Sequence, residues 1–440
     1  MQDQFFALAD VLTAEMKAGE GFLARFAGET SDFVRFNRSA VRQAGAVEQR
    51  YLTLVLFAGR RHASQTLTLT GEQAADITAA RAAVAALRDI LTDMPEDPHF
   101  LINTTPQSTT RILPAALASS DEGVEAVLKA GAGHDMVGFL AAGPIHRGFA
   151  NSYGQRNWDT APAFNIDLSF YLRADKAVKM SHAGTNWNAD AFAAKADAAK
   201  RRLKVLALPA KTIAPGAYRV FLAPTAMEEV MGMMSWGGFG LEAHRTATTP
   251  LIKMVEQGVK LHASVTLTEN TGEGLAPDFQ NEGFVKPLSV TLIAAGSYKD
   301  CLTSPRSAAE FGATQNGADG SESPQALDMA AGTLESARIL ETLGTGIYIG
   351  NLWYLNYSDR NACRLTGMTR FATYWVENGE IVAPLNVMRF DDTVYRMLGD
   401  NLVGLTAERD LLLSSDTYEA RSTRSMRLPG AVIEDFKMTL

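Results

Sequence analysis

Cysteine is almost missing from this chain: Cys301 and Cys363 are the only two in 440 residues. Two cysteines fit a reducing compartment, where free thiols are expected over a disulfide between them. Histidine is nearly as scarce. None of the seven (His62, His99, His134, His146, His182, His244 and His262) is followed by glutamate, and no two lie within five positions. No helix of this chain can therefore offer paired imidazoles and a glutamate base to one zinc ion. A Gly-x-Ser-x-Gly elbow, a phosphate loop ending Gly-Lys-Ser/Thr and a dinucleotide fingerprint after a strand are also lacking. No apolar run reaches bilayer length. The opening Met-Gln-Asp-Gln-Phe-Phe has neither the cationic segment nor the apolar core of a signal peptide, so a cytoplasmic protein with no membrane partner is expected. A basic excess is wanting as well. The 41 Lys and Arg face 49 Asp and Glu, a net charge of −8, which argues against nucleic acid as the main partner.

What is present is ordinary for a globular protein: 46% hydrophobic and 20% charged residues, in a length that suits two or three domains. Residues 4–17 carry Phe5, Leu8, Val11, Leu12 and Met16 on one helical face. Residues 22–37 and 46–60 read as strands, with Thr-Leu alternation at 65–70 as a third. Thr70 to Gln73 resembles a capping box ahead of an Ala-rich helix over 72–94. A capped helix at 124–130, a hairpin around Gly143-Pro144 with a surface His146 near its turn, a strand over 164–172 and a basic helix over 190–206 follow. Proline and glycine at 210–216 mark a boundary, giving domains 1–210 and 211–440.

Beyond it a strand at 218–222 meets Thr225-Ala-Met-Glu228, a second capping-box pattern, and a helix over 226–236. Met227, Val230, Met231 and Met234 form its stripe, read as core filling. Thr249 and Pro250 open another helix. Strands are expected at 262–268 and 288–294, and a weak helix at 325–327 onwards or at 336–343. Residues 303–324 form a long Gly/Ser-rich loop. The richest stretch runs from Gly344 to Leu398. There Asn378-Gly379 between apolar runs is a strong hairpin signal, and residues 358–370 read as a polar loop held between strands. Cys363 is read as a small half-buried residue, the alternative being a thiol activated by Arg364. The adjacent acid pairs Glu228-Glu229 and Asp391-Asp392 are read as solvated surface. The fold class is α+β: an N-terminal antiparallel sheet with covering helices, then a mainly antiparallel β C-terminal domain.

Several motifs together resemble the TldD/PmbA family. They are Gly346-Ile-Tyr-Ile349, Asn356, Thr366-Gly367, Arg370 and Trp375-Val-Glu-Asn-Gly-Glu-Ile381, with Phe33-Val-Arg-Phe-Asn37, Val41-Arg-Gln-Ala-Gly45, Pro215-Gly-Ala-Tyr-Arg-Val220 and Leu222-Ala-Pro224 upstream. The resemblance implies a zinc peptidase fold in which a helix carries His-Glu-x-x-x-His and a C-terminal cysteine adds a third ligand. At the matching positions this chain has Gly232, Met233 and Gly237, and Ser422 to Pro429 holds no cysteine. Glycine and methionine cannot bind zinc and activate its water. The resemblance thus implies the zinc-less TldE (PmbA) type: no catalytic or metal-binding residue in this chain, no cofactor of its own, and zinc in a TldD-type partner. Heterodimer or higher assembly with that partner, or a homodimer when alone, and an unfolded or precursor peptide as substrate are expected. Asn351, Trp353, Asn356, Asp359, Arg360 and Arg364 are the candidate peptide-binding residues, or else a structural polar network. The segment Asn351 to Asp359 departs from the family's glycine-richer wording, which leaves open a dedicated precursor peptide. Two other readings stand beside this one: a self-assembling peptide-binding scaffold, and a regulator of a DNA-topology enzyme, after the family's older description as a modulator of DNA gyrase.

Overall fold

The chain begins with an apolar helical face that needs a sheet to cover. In the computed structural model, which describes residues 1–173 and 176–439, helix α1 (Gln2–Glu15) buries Phe5, Leu8, Ala9 and Leu12. Its cover is a sheet of long antiparallel strands: β1 (Glu20–Asn37), β2 (Ala40–Ala58) and β3 (Arg61–Thr68). Helix α2 (Gln73–Leu91) lies beside α1 and adds Ala80, Val84, Leu87 and Leu91 to the same core. The Thr70 capping box does not form. Asp76 lies in the first turn, and its carboxylate accepts from the Thr70 and Gly71 amides at 2.7 and 3.0 Å instead.

The sheet continues with β4 (Thr110–Ile112), β5 (Asp135–Asn151), β6 (Arg156–Arg173) and β7 (Lys176–Gly184), in the order β3-β2-β1-β5-β6-β4 with β7 also on β6. Helix α3 (Ser120–Gly131), capped by Ser119, and helix α4 (Ala189–Leu206), capped by Asn188, pack on this half. The hairpin expected at Gly143-Pro144 is absent, because β5 runs straight through both residues. Proline is tolerated there because Thr30 and Ser31 of β1 have no partner opposite, so the ladder on that side is already interrupted. Gly143 sits at φ 140°, and a Cβ there would lie 2.1 Å from the Thr30 carbonyl oxygen. His146 is accordingly not a surface turn residue. It is half-buried in mid-strand, stacked on Trp158, with Nδ1 3.0 Å from Thr160 Oγ1.

The second half opens with β8 (Gly216–Leu222), helix α5 (Pro224–Ser235) and two short helices, α6 (Leu241–Arg245) and α7 (Ile252–Gln257). Three strands, β9 (Leu267–Glu269), β10 (Val290–Ala294) and β11 (Ser297–Tyr298), precede helix α8 (Pro305–Phe311), which lies within the expected long loop. Residues 326–329 are a strand, β12 (Ala326–Met329), and the weak helix is the later of its two candidates, α9 (Ile339–Leu343). The remaining strands are β13 (Gly346–Asp359), β14 (Arg364–Glu377), β15 (Glu380–Pro384), β16 (Arg389–Thr393), β17 (Leu402–Leu413) and β18 (Ser425–Met438). The Asn378-Gly379 turn joins β14 and β15, with both residues at positive φ. The polar loop expected at 358–370 is almost all strand, and only residues 360–363 turn.

The order of this sheet is β11-β10-β9-β12-β18-β16-β14-β13-β8, and β8 also pairs with β18. Five strands therefore close into a ring, with parallel pairing at β8–β13 and antiparallel pairing elsewhere in it. The two halves share a core: Phe164, Phe170, Phe192 and Leu203 pack in one cluster with Phe221, Tyr348, Tyr374 and Val432. A strap between β17 and β18 ties them further. Buried Arg421 donates from Nη1 to Ser31 Oγ and the Gly143 carbonyl, both at 3.0 Å, and from Nη2 to the Ala163 carbonyl at 2.7 Å. Replacing Arg421 by alanine leaves these buried acceptors unmet and is expected to cost about 2–3 kcal/mol. Urea unfolding of the full chain measures it, and Arg421→Lys does not restore the loss because an ammonium lacks the planar fork.

Candidate functional site

Helix α5 starts two residues earlier than the capping pattern suggests. Pro224 occupies its first position and Ala223 the cap. Thr225 is thereby inside the helix, where its hydroxyl donates to the Gly350 carbonyl at 2.6 Å, and Glu228 is released from any capping role. Met227, Val230, Met231 and Met234 are buried, as their spacing implies. The opposite face carries Glu228, Glu229, Gly232 and Met233, and it borders a cleft of about 350 Å³.

The cleft is completed by five strands and the strap. Asn165 and Asp167 come from β6, Lys179 and Ser181 from β7, Asn351 and Leu355 from β13, and residues 412–415 and 424–426 from the strap and its flanking strands. A second compartment of about 340 Å³ continues past Lys179, Ser181 and Thr225 toward Lys195, Arg202, Tyr348 and Asp410. Two strand edges frame the groove. Among the described residues, the backbone of β7 pairs with β6 alone, and residues 409–413 of β17 pair with β18 alone.

Charge in the cleft is only partly balanced. Lys179 pairs with Asp167 at 3.0 Å, and Lys195 with Asp410 at 3.1 Å. Glu228 and Glu229 make no hydrogen bond or ion pair among the described residues, and neither does the Arg424 guanidinium. Desolvation, reinforced by the Glu229 charge, raises the Glu228 pKa to about 7. The Glu229 pKa is raised for the same reason, desolvation. Glu228 is half-buried, so its reading as solvated surface is corrected, whereas Glu229 lines the same cleft and stays exposed, as read. Successive helical residues lie about 100° apart, and a concave wall wide enough to span that angle meets both. Asp392 is corrected too: it is buried beside Arg396 at 3.0 Å.

Of the six candidate peptide-binding residues, the structure places only Asn351 on the cleft. Trp353 is exposed on β13 under the Arg370 guanidinium, 3.8 Å from its ring centre. Asn356 Oδ1 accepts from the Tyr357 amide at 2.8 Å, and Asp359 Oδ1 from the Ala362 amide at 3.1 Å. Arg360 clamps the β13–β14 turn to the end of α5, donating to the Trp236 carbonyl at 2.7 Å and the Thr248 carbonyl at 2.8 Å. Arg364 pairs with Asp391 at 3.0 Å. Cys363 is fully buried, and burial pushes its thiol up to about 12, so no activated thiolate forms there. Glu228, Glu229, Lys179 and Arg424 are what the sequence did not single out as site residues.

The family model for the PmbA/TldA metallopeptidase C-terminal domain matches residues 215–440. The chain belongs to the TldD/PmbA family. Among solved structures, TldE from Thermococcus kodakarensis superposes with a TM-score of 0.80 at 14% identity, covering 96% of this chain and 97% of that one. Described as candidate modulators of DNA gyrase, proteins from Thermotoga maritima and Bacteroides thetaiotaomicron superpose with TM-scores of 0.73 and 0.74. Both are 14% identical; each covers 99% of this chain, with 99% and 98% of their own lengths covered. No curated protein matches the chain by sequence.

The TldD/PmbA positions expected to carry zinc donors do not fit a zinc ion here. Gly232 has no side chain, although a Cβ there would meet nothing within 4 Å. Gly237 lies beyond the helix end at φ 72°, where a Cβ would be 2.8 Å from the Arg360 guanidinium. Met233 offers only a thioether. Among the described residues no three His, Cys, Asp or Glu side chains gather as a metal site.

The raised Glu228 pKa makes a stability prediction with a definite sign. The folded state holds this proton more tightly than the unfolded chain, so the contribution is fully present below the ordinary glutamate value of 4.5 and is lost as pH rises through about 7. Glu228→Gln removes that dependence. At pH 8 the variant is expected to be more stable by about 1–2 kcal/mol, discounted for the solvent that reaches the cleft, while at pH 4 the two proteins coincide. Thermal unfolding at both pH values measures this.

Proposed function

We propose that this chain is the non-catalytic, TldE-like subunit of a heteromeric zinc metallopeptidase acting on unfolded or precursor peptides. The observation that carries the reading is the α5 face: a cleft in a metallopeptidase-related fold, with Gly232 and Met233 on its wall where the family resemblance would place donors. On this reading zinc and the activated water belong to a TldD-type partner. This chain contributes wall and peptide contacts. The free edge of β7 and the 409–413 edge of β17 support that role, since an extended peptide can add to a strand edge through main-chain hydrogen bonds with little sequence preference. Asn351, on the cleft, is the peptide contact favoured among the six candidates.

A second reading, regulation of a DNA-topology enzyme, draws on the two superposing structures described as candidate gyrase modulators. The net charge of −8 weighs against direct DNA contact in that role.

The test is reconstitution. The purified chain is expected to leave an unfolded casein substrate intact. Mixed with a zinc-bearing homologue from the same source, it is expected to co-elute as one complex that cleaves casein at least ~10-fold faster than the homologue alone. Separate elution with unchanged cleavage would contradict the subunit reading, and salt-sensitive binding to gyrase in its place would favour the second.

A further inference from the structure

The α5 cleft carries charged and polar side chains of both signs that the protein itself does not satisfy. Glu228 and Glu229 stand on the helix wall, and Arg424 stands on the strap. Asn351 from β13 and the Ser181 hydroxyl from β7 also line the cleft without a side-chain hydrogen bond among the described residues. The nearby charges that are satisfied, Asp167 and Lys179, pair with each other. The groups that act on the Glu228 carboxyl are Glu229, Lys179 and Asp167, and Arg424 is not among them. The acids thus line the cleft from helix α5 and the unpaired guanidinium lines it from the strap, with Lys179 the cation that acts on both acids.

The half-buried Glu228 carboxylate, left unpaired, loses hydration without a compensating partner, while Glu229 beside it stays exposed. Two carboxylates side by side repel each other as well. The arrangement persists because the other face of α5 is locked in the core, and an ammonium group entering the cleft would relieve both penalties. The exposed, unpaired Arg424 guanidinium on the strap would receive a carboxylate in two parallel hydrogen bonds. The volume of about 350 Å³ lies at the small end of the ~300–1,000 Å³ range of small-molecule sites. Met233, Leu355, Leu412 and Met426 give the middle of the cleft an apolar floor.

We infer that the cleft binds a short zwitterionic peptide, with its amino terminus toward Glu228 and Glu229 and its carboxylate on Arg424. The inference rests on the peptide-handling reading above and names the ligand of this chain's own cleft: not a long substrate passing through, but a fragment of about two or three residues held by both ends. Glu228, Glu229 and Arg424 are binding residues, and no chemistry is assigned to them.

The experiment is calorimetric titration of the full chain, alone, with tri-alanine, N-acetyl-tri-alanine and tri-alanine amide at pH 8. Tri-alanine is expected to bind, with N-acetylation and amidation each weakening affinity by ~10- to 100-fold. In the Glu228→Gln/Glu229→Gln double variant the penalty for N-acetylation disappears while that for amidation remains. Arg424→Ala shows the reverse. Because the probes differ only in their termini, the wild-type comparison stands whether or not a variant folds. No binding of tri-alanine, equal binding of all three probes, or discrimination that survives in the variants would overturn the site. Failure here beside a cleavage-competent complex would discard the site and keep the subunit role. Binding beside an inactive mixture would do the opposite.

Discussion

The burial of one face of helix α5 is the constraint on which the cleft depends. Met227, Val230, Met231 and Met234 enter a core made with Val220, Leu222, Ile347, Ile349, Ala431 and Ile433, from three strands of the closed ring. At about 1.5–3 kcal/mol for each buried apolar side chain, these four contribute on the order of 6–12 kcal/mol to holding the helix in one rotation. An unpartnered polar group costs about 1–3 kcal/mol. The apolar term wins. The helix keeps its orientation although Glu228 and Glu229 thereby line a cleft where, among the described residues, no hydrogen bond or ion pair meets them.

The same constraint explains how the cleft keeps its shape without a side chain at position 232. The cleft is walled by β6 and β7 from one sheet and by β13, β17 and β18 from the other, and these are joined through the core shared with α4 and through Arg421. None of those contacts uses a side chain at position 232, and a Cβ placed there meets open space. Geometry and metal chemistry are separable in this fold. A chain can keep the groove and its strand edges, and with them the means to hold an extended peptide, while the hydrolytic group belongs elsewhere.

Much of the architecture was legible from local signals. The Asn378-Gly379 turn, the methionine stripe of α5 and the Ser119 cap each have one local cause, and each formed as read. The misses share a different cause. Gly143-Pro144 carries a turn signal, yet β5 passes through because β1 leaves two residues unpaired opposite it, which is a tertiary fact. Thr225 to Glu228 has the wording of a capping box, but Pro224 takes the first helical position and moves both residues inside. Adjacent glutamates look like solvent-facing surface in any one-dimensional reading. Only the packing of β6, β7 and the strap around α5 brings them to the cleft wall and half-buries Glu228, and no spacing rule encodes that. Polar residues at 356–364 drew attention by composition, whereas the structure engages most of them in the β13–β14 turn and its neighbours.

The central claim is that this chain keeps the metallopeptidase-related groove without a metal site of its own. It is tested most directly by counting zinc. The full chain, purified without chelator, equilibrated with excess Zn²⁺ and then freed of unbound metal by gel filtration, is predicted to retain no stoichiometric zinc. One tightly held zinc per chain would contradict the account, because it would require a donor set that the α5 face does not contain.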